Sequence, residues 1–249
     1  MNKRARSQRR WGGLLFLIGF LAGAWLMGGI AWAGLEASLF DTGTVGENLS
    51  GLRCSLVITP DEPAFVHVTL NNPLDRPITR LVRWRVAQRH ILLVEQEREG
   101  VTFQPGERKT LTRELSPDAG VYGRRFIMSS VYVGSAYPLP ALEGSCGIWV
   151  VNIPHLNGIH ILILGSLIAV AGMGAGFAIR YRTRDPQQGS EGALALMLAF
   201  FVIGMAATWL FGWWMVAGLA ELLMLLTLAL WFFQRIDERW LQVKPPIEE

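Results

Sequence analysis

The stretch that decides the fold is GALALMLAFFVIGMAATWLFGWWMVAGLAELLMLLTLALWFFQ, residues 192–234, which has 43 residues and one charged side chain, Glu221. A bilayer core about 30 Å thick is crossed by roughly 20 helical residues. The stretch is too long for one spanning helix and has the length of two. A turn is predicted around Phe211 to Trp214, where glycine relaxes the helix and tryptophan suits the bilayer interface.

Two further stretches lack charged residues, 11–35 with 25 residues and 161–179 with 19. Each has the length of a single spanning helix. Charged residues make up 17% of the chain, against roughly 25% in soluble proteins. The composition therefore predicts a membrane protein with four spanning helices and one soluble module inserted after the first.

Basic residues set the predicted orientation, because Lys and Arg accumulate on the cytoplasmic side of spanning helices. Five precede the first span with no acidic residue among them. With four spans, the basic clusters that follow the second and fourth spans lie on the same side; with three spans the last cluster would lie outside. Both termini are therefore predicted to be cytoplasmic and residues 36–157 extracytoplasmic. The basic residues are Lys3, Arg4, Arg6, Arg9, Arg10, Arg180, Arg182, Arg184, Arg235, Arg239 and Lys244.

The first apolar stretch has two interpretations. Ala31-Trp32-Ala33 offers a signal-peptidase site. The stretch is nevertheless much longer than the usual 7–15 apolar residues of a cleaved signal peptide. An uncleaved signal anchor is therefore favoured, and cleavage would leave three spans and an exported N-terminus.

The inserted module is predicted to be an all-β sandwich. Residues 36–157 hold 12 Lys and Arg and 13 Asp and Glu, a near-neutral balance that excludes nucleic-acid binding. About seven short runs with alternating or β-rich sequence are separated by turn residues, with no helical period between them. The run Cys54 to Thr59 is read as one strand with Leu56 and Ile58 on the face of Cys54. The other predicted strands are Phe65–Leu70, Ile78–Val86, His90–Glu95, Arg108–Leu115, Phe126–Val133 and Ile148–Val151.

Cys54 and Cys146 are the two cysteines of the chain, and both lie in the module. An even count in an oxidising compartment favours a disulfide between the first and last strands. Two buried thiols are the alternative.

Residues 71–115 resemble the Ig-like or fibronectin-type modules common on bacterial surfaces. The resemblance rests on the turn Asn71 to Pro77, and on Pro105-Gly106-Glu107-Arg108 leading into Leu111. The layout, including Tyr137-Pro138-Leu139-Pro140 and Ser145-Cys146-Gly147, is also similar to uncharacterised bacterial membrane proteins. The resemblance implies a fold and no activity.

Glu221 is the strongest candidate for a functional residue in the membrane-spanning part of the sequence. It lies about eight residues past the predicted turn, roughly 12 Å along the helix axis and inside the hydrocarbon. An ionisable residue at that depth is a functional candidate, for proton or ion handling or for contact with a partner helix. The alternatives are an acid packed against Thr208 or Trp209, and a boundary that leaves Glu221 near water.

Small residues four apart predict close helix packing in the first two long spans. The pairs are Gly19 with Gly23, Ala24 with Gly28, and Gly172 with Gly176. They allow the two spans that flank the module to pack on each other, with dimerisation as the alternative.

Arg83, Arg85 and Arg89 are predicted to form a basic patch on one strand. It is either an ordinary solvated face or a binding site for an anionic envelope polymer or lipid. No catalytic motif, phosphate loop or dinucleotide pattern occurs. The four histidines lack metal-site spacing, so neither a metal nor a cofactor is predicted.

We therefore expect a non-enzymatic membrane-anchored protein whose module binds or assembles with a partner or envelope component. The expected contacts are the lipid bilayer and a protein partner or second copy. A transporter or channel component using Glu221 is the alternative, and an enzyme ranks below it. The predicted boundaries are a basic tail 1–10, span 11–35, linker 36–52, sandwich 53–154, span 159–179, cytoplasmic loop 180–192, spans 193–211 and 213–233, and cytoplasmic tail 234–249.

Overall fold

The computed structural model describes residues 3–40, 46–183 and 191–243, with side chains in 7–40, 46–183 and 192–233. Four long helices occur in these ranges, each long and apolar enough to cross a bilayer. This confirms the predicted four spanning helices around an inserted β region. They are α1 (Lys3–Phe40), α3 (Gly158–Arg182), α4 (Glu191–Phe211) and α5 (Trp214–Val243).

The chain divides into two compact units. Residues 1–28 and 164–249 form the membrane unit, and residues 29–163 form the module unit. Within the membrane unit, α4 and α5 are joined at Gly212, which has a φ of 68°. Its N–H donates to the Thr208 carbonyl at 2.9 Å, and this left-handed residue terminates α4 as helix C-caps commonly do.

In the described residues 46–157, nine strands and two short helical turns make up the β region. The helical turns are a 3-10 turn (Pro117–Ala119) and α2 (Val121–Arg124). The strands are β1 (Glu47–Asn48), β2 (Leu52–Cys54), β3 (Val57–Ile58), β4 (Ala64–Asn71), β5 (Ile78–Gln88), β6 (His90–Phe103), β7 (Arg108–Leu115), β8 (Phe126–Val133) and β9 (Leu142–Val150).

These strands form the two sheets of a sandwich. The larger sheet has the order β1-β9-β8-β5-β6, with β3 also paired to β9, and the smaller has the order β2-β4-β7. Lettering β4, β5, β7, β8 and β9 as B, C, E, F and G places B with E and C with F and G, the division of an immunoglobulin-like sandwich. The all-β sandwich prediction is therefore confirmed.

Alternating apolar residues from both sheets share one core. Val66, Val68 and Leu70 of β4 face Val82 and Trp84 of β5, and all are almost fully buried. Trp84 donates its indole N–H to Glu99 Oε1 at 3.0 Å, so its polar atom is satisfied at the sheet edge. This alternation is the burial pattern that the sequence predicts.

The segment Cys54 to Thr59 differs from its prediction as one strand. The chain changes sheets within it, because β2 pairs with β4 in the smaller sheet and β3 pairs with β9 in the larger. Consecutive residues Val57 and Ile58 are both buried, which a single alternating strand does not allow. One segment thus contributes to both sheets.

The predicted linker 36–52 is also wrong in its first part, because α1 continues to Phe40. In the module unit this helix lies on the outer face of the larger sheet. Gly29 lies against the Trp149 ring, and the Ala33 backbone lies against Gly147 of β9. Phe40 packs on a small cluster of Ala87, Val121 and Met128. Residues 41–45 of the linker lie outside the described residues.

Gly147 gives a direct test of this helix–sheet contact. A Cβ at position 147 would overlap the Ala33 carbonyl, so we expect Gly147→Val to lower the stability of the module by about 1–3 kcal/mol through overpacking. Thermal unfolding in mild detergent measures the change. The matched control is Gly100→Val on β6, where a Cβ meets only Thr79 at 3.9 Å. Equal melting temperatures for the two variants would contradict the packing.

Candidate functional site

Cys54 and Cys146 form a disulfide, as the sequence predicts. Their Cα atoms are 6.3 Å apart, within the usual range for bridged cysteines. The bridge joins β2 of the smaller sheet to β9 of the larger one and closes a chain separation of 92 residues. A loop of that length corresponds to about 4–5 kcal/mol in the chain-entropy model. The bond therefore fixes the module near both of its chain ends.

Arg83 and Arg85 lie together on the outer face of the larger sheet. Arg83 is directly opposite Arg98 of β6 on one side and Tyr132 of β8 on the other. Its guanidinium carbon lies 4.7 Å from the centre of the Tyr132 ring, a cation–π distance. We name Arg83, Arg85, Arg98 and Tyr132 the basic face.

Arg89, the third arginine predicted for this patch, lies elsewhere. It occupies the turn between β5 and β6 with a φ of 60°, and its backbone N–H donates to the Ala119 carbonyl at 2.9 Å. The strand ends at Gln88, so the two-residue period that aligns Arg83 and Arg85 stops before position 89. Arg98, which the sequence analysis did not single out, takes the third position instead.

Charge is segregated between the two faces of β6. Glu95 and Glu97 both lie within 4.0 Å of Arg113 of β7, so they bridge the open edges of the two sheets. Arg98 follows Glu97 directly, so its side chain lies on the opposite face of β6. This is the outer face of the sheet, which also carries Arg83. Among the described residues, neither Arg83 nor Arg98 forms a salt bridge.

Arg80 is a buried arginine that the sequence analysis missed. Its side chain is 4% exposed, and its Nε donates to the Gly134 carbonyl at 2.9 Å while Nη2 donates to the Pro140 carbonyl. Burial lowers the pKa of its guanidinium, and the hydroxyl of Tyr132 acts in the opposite direction. The sequence carried a signal for this burial. Arg80 lies two and four residues before Val82 and Trp84 on the same strand, so its side chain points to the buried face with theirs. Its role is to hold the loop from 134 to 140.

Glu221 lies in α5 of the membrane unit, beside the backbone of α1. A Cβ built on Gly28 would be 2.8 Å from Glu221 Oε1, so the absence of a side chain at Gly28 makes room for the carboxyl group. Thr208, one predicted neighbour, donates its hydroxyl to the Gly204 carbonyl at 2.9 Å. Among the described residues, Glu221 has no hydrogen-bond partner.

Four glycines of the predicted pairs, Gly19, Gly23, Gly172 and Gly176, lie in contacts of α1 within the membrane unit. A Cβ on Gly19 would be 2.5 Å from the Met173 nitrogen, and one on Gly176 would be 2.6 Å from the Phe16 nitrogen. Gly172 meets Gly19 in the same interface, while Gly23 faces the Phe201 ring of α4. Three of the four thus lie in the packing of α1 on α3. This is the packing of the two flanking spans on each other, as distinct from dimerisation.

Two of the four histidines, His67 of β4 and His90 of β6, make hydrogen bonds within the module. His67 Nδ1 is 2.9 Å from the Thr112 hydroxyl, and His90 Nδ1 accepts the Leu92 N–H at 3.2 Å. Among the described residues, no group of three or more His, Cys, Asp or Glu side chains is placed to hold a metal ion.

Comparison with known proteins gives no family. No family model matches the chain, and no curated protein does. A cycloisomaltooligosaccharide glucanotransferase of Paenibacillus sp. matches with a TM-score of 0.32 and 15% identity over 42% of this chain and 14% of its own. A β-glucosidase of Listeria innocua in complex with glucose matches with a TM-score of 0.28 and 20% identity over 39% and 15%. The gluconolactone complex matches with a TM-score of 0.25 and 22% identity over 40% and 16%. The chain thus spans about one-seventh of these enzymes, and the low scores carry no argument about activity.

Arg80 supplies a test of how the module holds its outer loop. Replacing it with Met is expected to cost about 1–3 kcal/mol of stability, because two carbonyls lose charged donors. The matched control is Arg83→Met on the same strand, which removes an outward guanidinium and is expected to change stability little. Thermal unfolding of the two variants in the same detergent measures the difference in stability. Equal losses of stability in the two variants would contradict the role of Arg80 in holding the loop.

Proposed function

We propose that this protein is a non-enzymatic membrane-anchored protein that presents its β-sandwich outside the cytoplasm to bind or assemble a partner or envelope component. Both termini are cytoplasmic in this proposal. The basic residues in the first turns of α1, Lys3 to Arg10, and those in the last turn of α3, Arg180 and Arg182, support that side. Arg184 and Lys244 belong to the same argument but lie outside the described residues.

The disulfide supports an extracytoplasmic module. Disulfides form and persist in oxidising compartments and are rare in the cytosol. Cys54 and Cys146 are also the entire cysteine content of the chain, so no free thiol competes for the bond. The bridge and the charge bias, two independent features, favour the same side of the membrane.

The basic face is the observation that carries the binding proposal. Like charges directly opposite each other on neighbouring strands are destabilising, and Arg83 faces Arg98 in this way. An anionic group bound between the two guanidinium groups would remove that repulsion and accept hydrogen bonds from both. The Tyr132 ring beside Arg83 holds one guanidinium in place and adds an aromatic surface. A partner with carboxylate, phosphate or sulfate groups fits this chemistry.

Glu221 supports the second candidate, a component of a transporter or channel. A carboxyl group within a spanning helix is costly in hydrocarbon and is commonly functional. Its approach to Gly28 leaves the carboxyl oxygens without a described donor. A proton, an ion or the donor of a partner helix would satisfy them.

The orientation is tested with single cysteines in intact cells. Ser135→Cys, an exposed position of the module, is expected to react with a membrane-impermeant maleimide before lysis. Ser7→Cys, near the start of α1, is expected to react only after lysis. The parent chain, whose two cysteines are bridged, is the unreactive control. The reverse order of labelling would place the module in the cytoplasm and contradict the proposal.

The basic face is tested by crosslinking in cells and purification in mild detergent. We expect Arg83→Gln with Arg85→Gln to reduce recovery of the crosslinked component by about tenfold or more, because hydrogen bonds to charged groups contribute about 1.5–3 kcal/mol each. The control is Arg108→Gln with Lys109→Gln on β7, which removes the same charge from the other sheet. Glu221→Gln is expected to leave recovery unchanged. Loss of function with Glu221→Gln and not with the double arginine variant would support the transporter instead.

A further inference from the structure

Three segments of the module meet around a cavity of about 520 Å³. They are the loop after β3 at Pro60, the turn from 123 to 125, and the end of β9 with the residues that follow it. Small-molecule sites are commonly clefts of roughly 300–1,000 Å³. Among the lining residues, Arg124, Arg125 and Asn152 carry side-chain hydrogen-bond donors, and Trp149 carries an aromatic ring. We name this space the arginine cavity, and all of its lining residues belong to the module unit.

Backbone hydrogen bonds join the three segments. The Val150 N–H donates to the Arg125 carbonyl at 2.8 Å, which ties the turn to β9. The Val151 N–H donates to the Ile58 carbonyl at 2.9 Å, which ties the chain after β9 to β3, two residues before Pro60. Because these bonds lie between backbone groups of the chain itself, the cavity is formed before any ligand binds. A site of this kind avoids the cost of ordering its walls on binding.

The turn that carries the two arginines has an uncommon backbone conformation. Tyr122, Gly123 and Arg124 have φ values of 52°, 71° and 66°, so three consecutive residues are left-handed and two of them are not glycine. This region is unfavourable for a residue with a Cβ, because the Cβ approaches the following carbonyl oxygen. The Tyr122 hydroxyl donates to Glu36 Oε2 at 3.1 Å and helps to hold the turn. Unfavourable conformations that surrounding contacts maintain in this way cluster at ligand sites.

The two guanidinium groups are available to a ligand. Among the described residues, Arg125 forms no salt bridge and donates no side-chain hydrogen bond. Arg124 pairs with Asp118 at 3.1 Å, and the two side chains are 59% and 62% exposed. Exposed ion pairs contribute little to stability, and the five N–H donors of a guanidinium allow Arg124 to contact a second acceptor. Two positive charges therefore line the cavity and favour an anionic group.

Carboxylates on the other side of Pro60 limit the size of that anion. A neighbouring cavity shares Pro60, and its lining residues include Asp61, Glu114 and Asp118. A polyanion that extended past Pro60 would meet these like charges, and such a contact is unfavourable. The arrangement therefore favours a ligand with a single anionic group.

A phosphate ester suits the donors of the arginine cavity better than a carboxylate does. A single guanidinium can bind both oxygens of a carboxylate through two parallel hydrogen bonds. A phosphate group carries more acceptor oxygens, so Arg124, Arg125 and Asn152 can each contact it. The Trp149 ring offers an apolar surface to the carbon atoms that carry the phosphate.

We propose that the arginine cavity binds one phosphate-ester group, with Arg124, Arg125 and Asn152 as its donors and the Trp149 ring beside the esterified carbon atoms. No residue of the basic face is among the described lining residues, so the site is additional to the proposed function. Two sources share this chemistry, a soluble phosphomonoester and the phosphodiester headgroup of a lipid, and separate probes distinguish them.

The test is a binding titration of the full-length protein in dodecyl maltoside, a neutral detergent without phosphorus. The probes are glycerol phosphate and dihexanoyl phosphatidylglycerol, and broadening of each phosphorus NMR line measures binding against protein-free micelles. We expect Arg124→Gln with Arg125→Gln to weaken binding by about tenfold or more, because hydrogen bonds to charged groups are lost. Asn152→Asp keeps both arginines and places a carboxylate in the cavity, so it is expected to weaken binding as well. The control is Arg108→Gln with Lys109→Gln, which removes the same charge from β7 and is expected to leave binding unchanged.

Saturable binding of glycerol phosphate would identify a soluble phosphomonoester as the ligand, and binding of the lipid probe alone would identify a headgroup. Either result supports the proposal when the arginine-cavity variants weaken it, and melting temperatures in the same detergent show that each variant is folded. Absence of saturable binding of both probes at millimolar concentration would overturn the proposal. Binding that is lost in Arg83→Gln with Arg85→Gln and kept in the arginine-cavity variants would also overturn it and would assign the phosphate to the basic face. The crosslinking test of the basic face does not depend on whether the arginine cavity binds phosphate.

Discussion

The hydrocarbon core of a bilayer offers no hydrogen bonds to a peptide backbone, and this constraint determines how the whole chain is arranged. Residues inside it must be helical, so α1 and α3 to α5 cross as continuous helices. A module inserted between α1 and α3 must then begin and end at the same membrane surface. The disulfide near its two chain ends and the Glu62 contact with the first residue of α3 meet that requirement.

The backbone of α1 is the common element of the two compact units. In the membrane unit its glycines allow close contact with α3, and Gly28 leaves space for the carboxyl group of Glu221. In the module unit its last turns cover the outer face of the larger sheet at Gly147 and Met128. The face that remains beyond the helix carries Arg83 and Arg98. The helix thus separates the covered part of the sheet from the part that is open to a ligand.

Local patterns in the sequence were sufficient to predict the fold class, but they predicted much less of the candidate site. The length of the uncharged stretches predicts the spanning helices, and the alternation of apolar and polar residues predicts the buried faces of β4 and β5. Both predictions work because each depends on the transfer of side chains out of water. Long-range register does not appear in a local pattern. The pairing of Arg83 with Arg98, the change of sheet within Cys54 to Thr59, and the bulge at Leu92 all depend on it. Arg80 was predictable from parity alone, but its carbonyl partners in the loop from 134 to 140 were not.

The covering of the larger sheet by α1 has a practical consequence for anyone who wishes to excise the module. A fragment cut at the start of the β strands would lose Ala33 and Phe40, and it would leave Gly147, Met128 and the Trp149 ring uncovered. Such a fragment would expose an apolar surface to water and would tend to aggregate. A soluble version must therefore retain the last turns of the helix, with polar replacements on the side that faces away from the sheet.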